Sequence, residues 1–315
     1  MTAAIDSARK AVPVREHRFT PEREYSLGVE EELMLVDARD LTLAAGVEPI
    51  LRDLRDTRVK PELMQCQLEI ATAPCETAHD VLAELTALRA RAIDAASAHG
   101  LRVAAVGTHP FSLAEAQPIT HRDRYRELIA AIRYPARREA CCGMHVHVAV
   151  AHPEKALQVI EALLPALPAL LALSASSPFW RGEPTGLQST RTIIFQSLPR
   201  SGLPPAFATY DQYVEEVELL QRAGAIQDHS YLWWDIRPHP RFGTIEFRCL
   251  DVQPRVADTA AIAGLIQALV RHYGRRYDHG DRFSPASRLL TAEKEWQLKR
   301  GILRRAAACF AREVK

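Results

Sequence analysis

The segment Tyr25–Val36, YSLGVEEELMLV, sets three consecutive glutamates inside an otherwise apolar run. Read as a β-strand, its side chains alternate between faces, so Glu30 and Glu32 share one face while Val29, Glu31 and Leu33 take the other. At ~3.3 Å rise per residue the two carboxylates stand roughly 6.6 Å apart. They repel unless cations sit between or beside them. Taken alone, the strand is either a solvated edge that discourages aggregation or part of a cation site.

Other stretches repeat the pattern. Cys66–Ala73, CQLEIATA, reads as a strand with Gln67, Glu69 and Ala71 on one face, ended by Pro74. Met144–Val150, MHVHVAV, puts His145 and His147 opposite Met144, Val146, Val148 and Val150. Leu232–Arg237 and Gly243–Asp251 read as a hairpin around PHPRFG, with Thr244, Glu246, Arg248 and Leu250 sharing a face of its second strand. Leu101–Gly107 reads as a buried strand and Arg191–Ser197 as another.

Helices are expected over Val47–Arg55, Arg122–Tyr134 and Asp211–Arg222. A further helix is capped by Thr77, with Asp80 near N3, and stopped by Gly100. A long one is capped by Asp258 and closes at Gly274, and a last one starts near Thr291. The apolar run Ala156–Ala175 is interrupted by Gln158, Glu161, Pro165 and Pro168, which fits a kinked buried helix better than a membrane span. Strands without regular βαβ alternation argue for an α+β domain with a mainly antiparallel sheet. No repeat or internal boundary divides it, so a flexible arm, residues 1–23, precedes a single domain, 24–315.

Lysine and threonine are the usual occupants of a wet sheet face. Here the choices are Glu and His, which ligate metals, and an Arg, which pairs with phosphate or carboxylate. Oxygen donors dominate and no cysteine joins the pattern, which favours Mg²⁺ or Mn²⁺ over zinc. No GxxxxGK[ST] is present, so a nucleotide would not be held by a P-loop. HxH also occurs in zinc hydrolases, which keeps a metal hydrolase open as a rival. There is no GxSxG elbow, Cys141 and Cys142 read as structural thiols, and Arg133, Arg137 and Arg138 read as solvated surface.

Forty basic against 39 acidic residues predict no sequence-independent affinity for nucleic acid or anionic membrane. The first residues lack a signal-peptide core. The six cysteines show no CxxC or zinc-ribbon spacing. Reduced thiols in a cytoplasmic protein are the expectation.

The pieces LGVEEELMLVD, LEIATAP, VGTHPF, CCGMHVHVAV, LSASSPFWRG, STRTIIF, WWDIRP and TIEFRCLDVQP occur in that order from Tyr25 to about Tyr273. In this the chain resembles the glutamate–cysteine ligase type 2 family, in its bacterial carboxylate–amine ligase branch. The resemblance implies a glutamine-synthetase-like fold, an antiparallel sheet curved into a funnel with helices outside. It implies ATP and Mg²⁺ as cofactors, with Glu30, Glu32, Glu69, His145 and Glu246 as metal ligands. His147 stands apart, because its counterpart is not a ligand throughout the wider family. Arg248 becomes a phosphate contact, acting with Glu246 in catalysis, and Arg191 a substrate-carboxylate anchor. The implied reaction activates a carboxylate, by analogy the γ-carboxyl of glutamate, as an acyl phosphate that an amine displaces. The partners are then small-molecule acid and amine substrates, and the assembly a homodimer. The resemblance also implies some tens of residues beyond EKEWQLKRGILRRA, more than this chain carries. That leaves open a relative that binds nucleotide or amino acid without turnover.

Overall fold

The computed structural model describes residues 14–299. The glutamate-bearing segment forms β1 (Leu27–Asp37), on which the sheet is laid. On one side β1 pairs with β3 (Gln67–Ala71), and β2 (Val59–Pro61) lies beyond it. On the other side it pairs with β5 (Gly143–Ala149) near its start and β4 (Leu101–Ala104) near its end. Two short pairs stand outside this sheet: β6 (Phe179–Trp180) with β7 (Glu183–Pro184), and β8 (Ser201–Gly202) with β9 (Trp233–Trp234). The hairpin β10 (Ile236–His239) and β11 (Thr244–Asp251) completes the order β10-β11-β5-β1-β3-β2, all antiparallel.

One sheet face is apolar, as period-2 alternation demands. Val29, Leu33, Leu68, Ile70, Val146, Val148, Ile245 and Phe247 are all buried on it. Helices α2 (Ala78–Ala98), α4 (Pro153–Leu163), α5 (Leu167–Ser174) and α8 (Val256–Asp278) cover that face. The remaining helices are α1 (Val47–Leu54), α3 (Asp123–Ile132), α6 (Arg191–Phe195), α7 (Tyr210–Arg222) and α9 (Arg288–Lys299). Thr77 and Asp80 form the expected capping box on α2. The run Pro153–Ser174 is kinked through Leu164–Ala166 and mostly buried.

Glu31 shares the apolar face and is fully buried. Arg89 of α2 clamps it with two 2.7 Å hydrogen bonds, and Thr259 of α8 donates a third at 2.6 Å. Arg89 also donates to the carbonyls of Gln253 and Pro254. Removing one partner of such a buried pair typically costs about 3–5 kcal/mol. The central carboxylate of the triplet therefore pins β1 to its helices, while its two neighbours face away from them.

Four expectations are corrected. Arg191–Ser197 is not a strand: Arg191–Phe195 is a short helix. Its β-branched residues are overridden by side-chain anchoring at its start, where Ser189 and Ser177 donate to Asp251 of β11 at 2.9 and 2.6 Å. The strand from Leu101 ends at Ala104, and only Leu101 of its four residues is buried. Helix α8 starts at Val256 and runs through Gly274 to Asp278, with Asp258 in its first turn rather than at the cap. Gly274 serves close packing: a Cβ there would come 2.6 Å from the Tyr25 hydroxyl. Of the expected arm, residues 1–13 lie outside the described residues, but residues 14–23 are docked. Val14 and Phe19 are buried, Arg18 N donates to Pro240 O at 2.9 Å, and Arg15 pairs with Glu218 at 2.7 Å.

Candidate active site

The face opposite the helices carries the ionisable residues, and strand register brings them side by side. Glu32 stands opposite Glu69, which stands opposite Lys60. Glu30 stands opposite His145, and His147 opposite Glu246, which faces Arg237. Directly opposed residues share a face with Cβ atoms roughly 4.5–5.5 Å apart. Hence Lys60, Glu69, Glu32, Glu30, His145, His147, Glu246 and Arg237 form one continuous polar band across six strands.

At its centre the imidazoles and carboxylates interlock. His145 Nδ1 is 3.2 Å from Glu30 Oε2, and its Nε2 is 3.7 Å from Glu32 Oε1. His147 Nε2 lies 3.9 Å from Glu30 Oε2, and its Nδ1 is 2.9 Å from the Thr244 hydroxyl. Burial works against the Glu30 charge, yet its contacts with His145 and His147 hold its carboxyl well below the usual range. Burial pulls His145 down, aided by the Arg248 charge. For His147 burial also pulls down, but the contact with Glu30 outweighs it and the imidazole titrates higher than usual.

The two ends of the band differ in charge. Toward β2 the carboxylates outnumber their partners. Lys60 donates to Glu69 at 2.7 Å, yet burial, reinforced by the Glu30 charge, pushes Glu69 up to about 7. Burial and then the charges of Glu69 and Glu32 raise Glu62, just past β2, well above its usual range. Toward β10 arginines dominate. Arg237 Nε and Arg248 Nη1 hold Glu246 at 2.6 and 2.5 Å. Burial opposes the Glu246 charge, but these two guanidinium groups keep it ionised well below the ordinary range.

Arg191 reaches the band from α6. Gly143 has the parity of His145 and His147, so a side chain there would point onto the same face. A Cβ on Gly143 would sit 2.8 Å from Arg191 Nε, and closer still to Cζ and Nη2. The Arg191 guanidinium thus lies on the bare backbone of Gly143, whose N–H donates to Glu32 at 2.6 Å. It is 1% exposed, and its only hydrogen-bond acceptor for the guanidinium among the described residues is the carbonyl of Arg248, at 3.3 Å. A buried cation with unspent donors is suited to an anion.

All eight residues singled out from the sequence lie together on or beside this band: Glu30, Glu32, Glu69, His145, His147, Glu246, Arg248 and Arg191. The sequence reading missed Lys60, Glu62 and Arg237. Lys60 lies on a strand of three residues, too short to carry a pattern of its own, and Glu62 follows just past its end. Arg237 lies in a hairpin strand that the sequence predicts, but its pairing with Glu246 depends on register. Among the described residues no three of these side chains already close around a single point. The donor set nevertheless fits divalent cations. It is oxygen-rich, its carboxylates are crowded, and the Nε2 atoms of His145 and His147 are buried without a hydrogen-bond partner.

The family model described as Glutamate-cysteine ligase family 2 (GCS2) matches residues 26–308. A Rubrobacter xylanophilus protein named "Putative glutamate--cysteine ligase 2-3" is 41% identical over 289 residues, covering 90% of this chain and 78% of its own. Its namesake in Ruegeria pomeroyi, "Putative glutamate--cysteine ligase 2", is 40% identical over 282 residues, with 89% and 73% covered. The solved glutamate–cysteine ligase of Francisella tularensis, in complex with AMP, superposes with a TM-score of 0.65 at 14% identity, covering 90% of this chain and 72% of that one. The bifunctional glutathione synthetase from Pasteurella multocida gives 0.64 at 15% identity over 87% of this chain, which spans only 40% of that longer protein. These two likenesses show a shared fold.

Proposed function

Because this chain belongs to glutamate–cysteine ligase family 2, we propose that it is an ATP-dependent carboxylate–amine ligase. The acid it activates is glutamate through its γ-carboxyl, and the product is an amide. The observation that carries this reading is the polar band itself. A crowded carboxylate end, a histidine-lined centre and an arginine-rich end share one sheet face, and the buried cation Arg191 stands beside Glu32. Magnesium ions, held by Glu30, Glu32, Glu69, His145 and Glu246, would offset the negative charge of a triphosphate. Glu62 belongs with this group by position and charge.

The chain's own residues supply the rest. Arg248, oriented by Glu246, presents a cation where charge accumulates on a transferring phosphoryl group. Arg237 holds Glu246 in place from the neighbouring strand. Arg191 fixes a carboxylate of the acid substrate and so orients the carboxyl to be activated. The acid's carboxylate oxygen attacks the terminal phosphorus, releasing ADP. The amine then attacks the acyl carbon and phosphate leaves. No protein nucleophile takes part, and none is needed. Membership of a ligase family sets the metal-hydrolase alternative aside. The five cysteines among the described residues are buried and free, which fits a cytoplasmic setting.

Purified protein incubated with Mg²⁺, ATP, glutamate and a panel of amines is expected to release ADP in an amine-dependent manner. Glu246→Ala should abolish that release. Absence of amine-dependent ADP from every amine tried would overturn the proposal.

A further inference from the structure

Glu139 lies in the segment that leads into β5, four residues before Gly143. It is 8% exposed. Its Oε2 accepts only the weak S–H of Cys141, at 3.4 Å, and its Oε1 has no hydrogen-bond partner. A buried carboxyl left half-satisfied is costly to the fold. Burial pushes it up to about 7, while Arg191 is the strongest charge pulling it the other way and Glu32 pushes with burial. Cys141, which Glu139 bonds, lies two residues before Gly143, on whose backbone Arg191 rests and whose N–H donates to Glu32, so Glu139 stands at the end of the site shared by Arg191 and Glu32. Arg191 presents the complementary deficit: a buried guanidinium whose Nε has no partner, lying on the backbone of Gly143. Neither group forms an ion pair with the other in the structure. One under-paired acid and one under-paired base stand at the same end of a substrate site.

We propose that Glu139 and Arg191 together read the head group of an α-amino acid, Arg191 taking its carboxylate and Glu139 its ammonium group. This rests on the ligase reading given above. The zwitterion satisfies both buried groups at once, which neither a simple dicarboxylate nor a simple amine can do. Glu139 is thus a specificity residue that distinguishes amino acids from plain acids of the same length. The rest of the substrate then extends from Arg191 along β5 toward His145.

The test is calorimetric and needs no turnover. Glutamate and glutarate, which lacks the α-ammonium group, are titrated into the full chain with Mg²⁺ and a non-hydrolysable ATP analogue. Wild type is expected to bind glutamate at least about tenfold more tightly, the scale of one charged hydrogen bond. Glu139→Gln, close in shape to the protonated acid, should erase that preference by weakening glutamate while leaving glutarate unchanged. Equal affinities in wild type, or a preference that survives in Glu139→Gln, would overturn the assignment. Equal affinities in wild type overturn the assignment whether or not the variant folds. A glutamate preference that depends on Glu139 without amine-dependent ADP release would defeat the ligase reading alone. ADP release with an unaltered preference in the variant would defeat the head-group assignment alone.

Discussion

At the scale of single residues, the site depends on a position with no side chain. Gly143 has the parity of a site residue, and the space its Cβ would occupy is filled by the Arg191 guanidinium. Because Arg191 is 1% exposed and its helix is anchored through Asp251, it has little room to retreat. Gly143→Ala should therefore misplace Arg191 rather than unfold the chain. We expect kcat/KM for the acid substrate to fall by roughly 100-fold, the scale of an ångström's misplacement. Overpacking should cost about 1–3 kcal/mol of stability. Steady-state kinetics alongside thermal melting check both, and an Ala variant with wild-type kcat/KM would show that Arg191 does not position substrate.

At the scale of elements, α9 carries a buried acid into the far side of the arginine-rich end. Glu295 is 3% exposed, and burial, then the nearby charge of Asp235, push it up to about 8 against the pull of Lys299. A carboxyl whose folded pKa is raised keeps its proton in the folded state after the unfolded chain has lost it. Its contribution is intact below about pH 4.5, declines as pH rises, and is fully lost above about pH 8. Glu295→Gln removes that ionisation. The variant should match wild type near pH 5 and exceed it above pH 8 by on the order of 5 kcal/mol. Urea unfolding at the two pH values measures this, and equal differences at both would exclude the ionisation as the cause. By contrast, the buried Glu31 carboxylate is satisfied by Arg89 and Thr259, which ties β1 to α2 and α8.

For the whole molecule, a sheet with its long helices α2, α4, α5 and α8 on one face leaves the other face largely to its own charges. The carboxylates of Glu30, Glu32, Glu62 and Glu69 crowd one half of that face, with Lys60 the cation bonded among them. Binding a cation to the folded state alone stabilises it by about 2.7 kcal/mol at a hundredfold excess over Kd. For a chain of this size that predicts a melting temperature higher by roughly 5 °C in millimolar Mg²⁺ than in chelator. Glu30→Gln and Glu69→Gln together should abolish the difference. Identical melting in Mg²⁺ and chelator would mean the carboxylates are not a cation site.

Much of this site is legible in the sequence alone. Strand alternation has period two and depends only on chain neighbours. YSLGVEEELMLV, QLEIA, MHVHVAV and TIEF therefore declare which residues share a face, and Glu30 parts from Glu31 on that basis alone. The bulge between Phe247 and Leu250, which sets Leu250 opposite Met144 instead of on the Glu246 face, breaks the alternation that the sequence reading assumed for the rest of that strand. What no local pattern carried was the partner of each group. Thr259 meets Glu31 across 228 residues of chain, and Arg89 meets it across 58. RTIIF reads as a strand by its β-branched residues and becomes a helix because Ser177 and Ser189 tie its start to the distant Asp251. The pairing of Arg237 with Glu246, the seat of Arg191 on Gly143 and the half-satisfied carboxyl of Glu139 arise only when separate segments pack. Alternation is a property of one strand; a charge's environment is a property of everything folded around it.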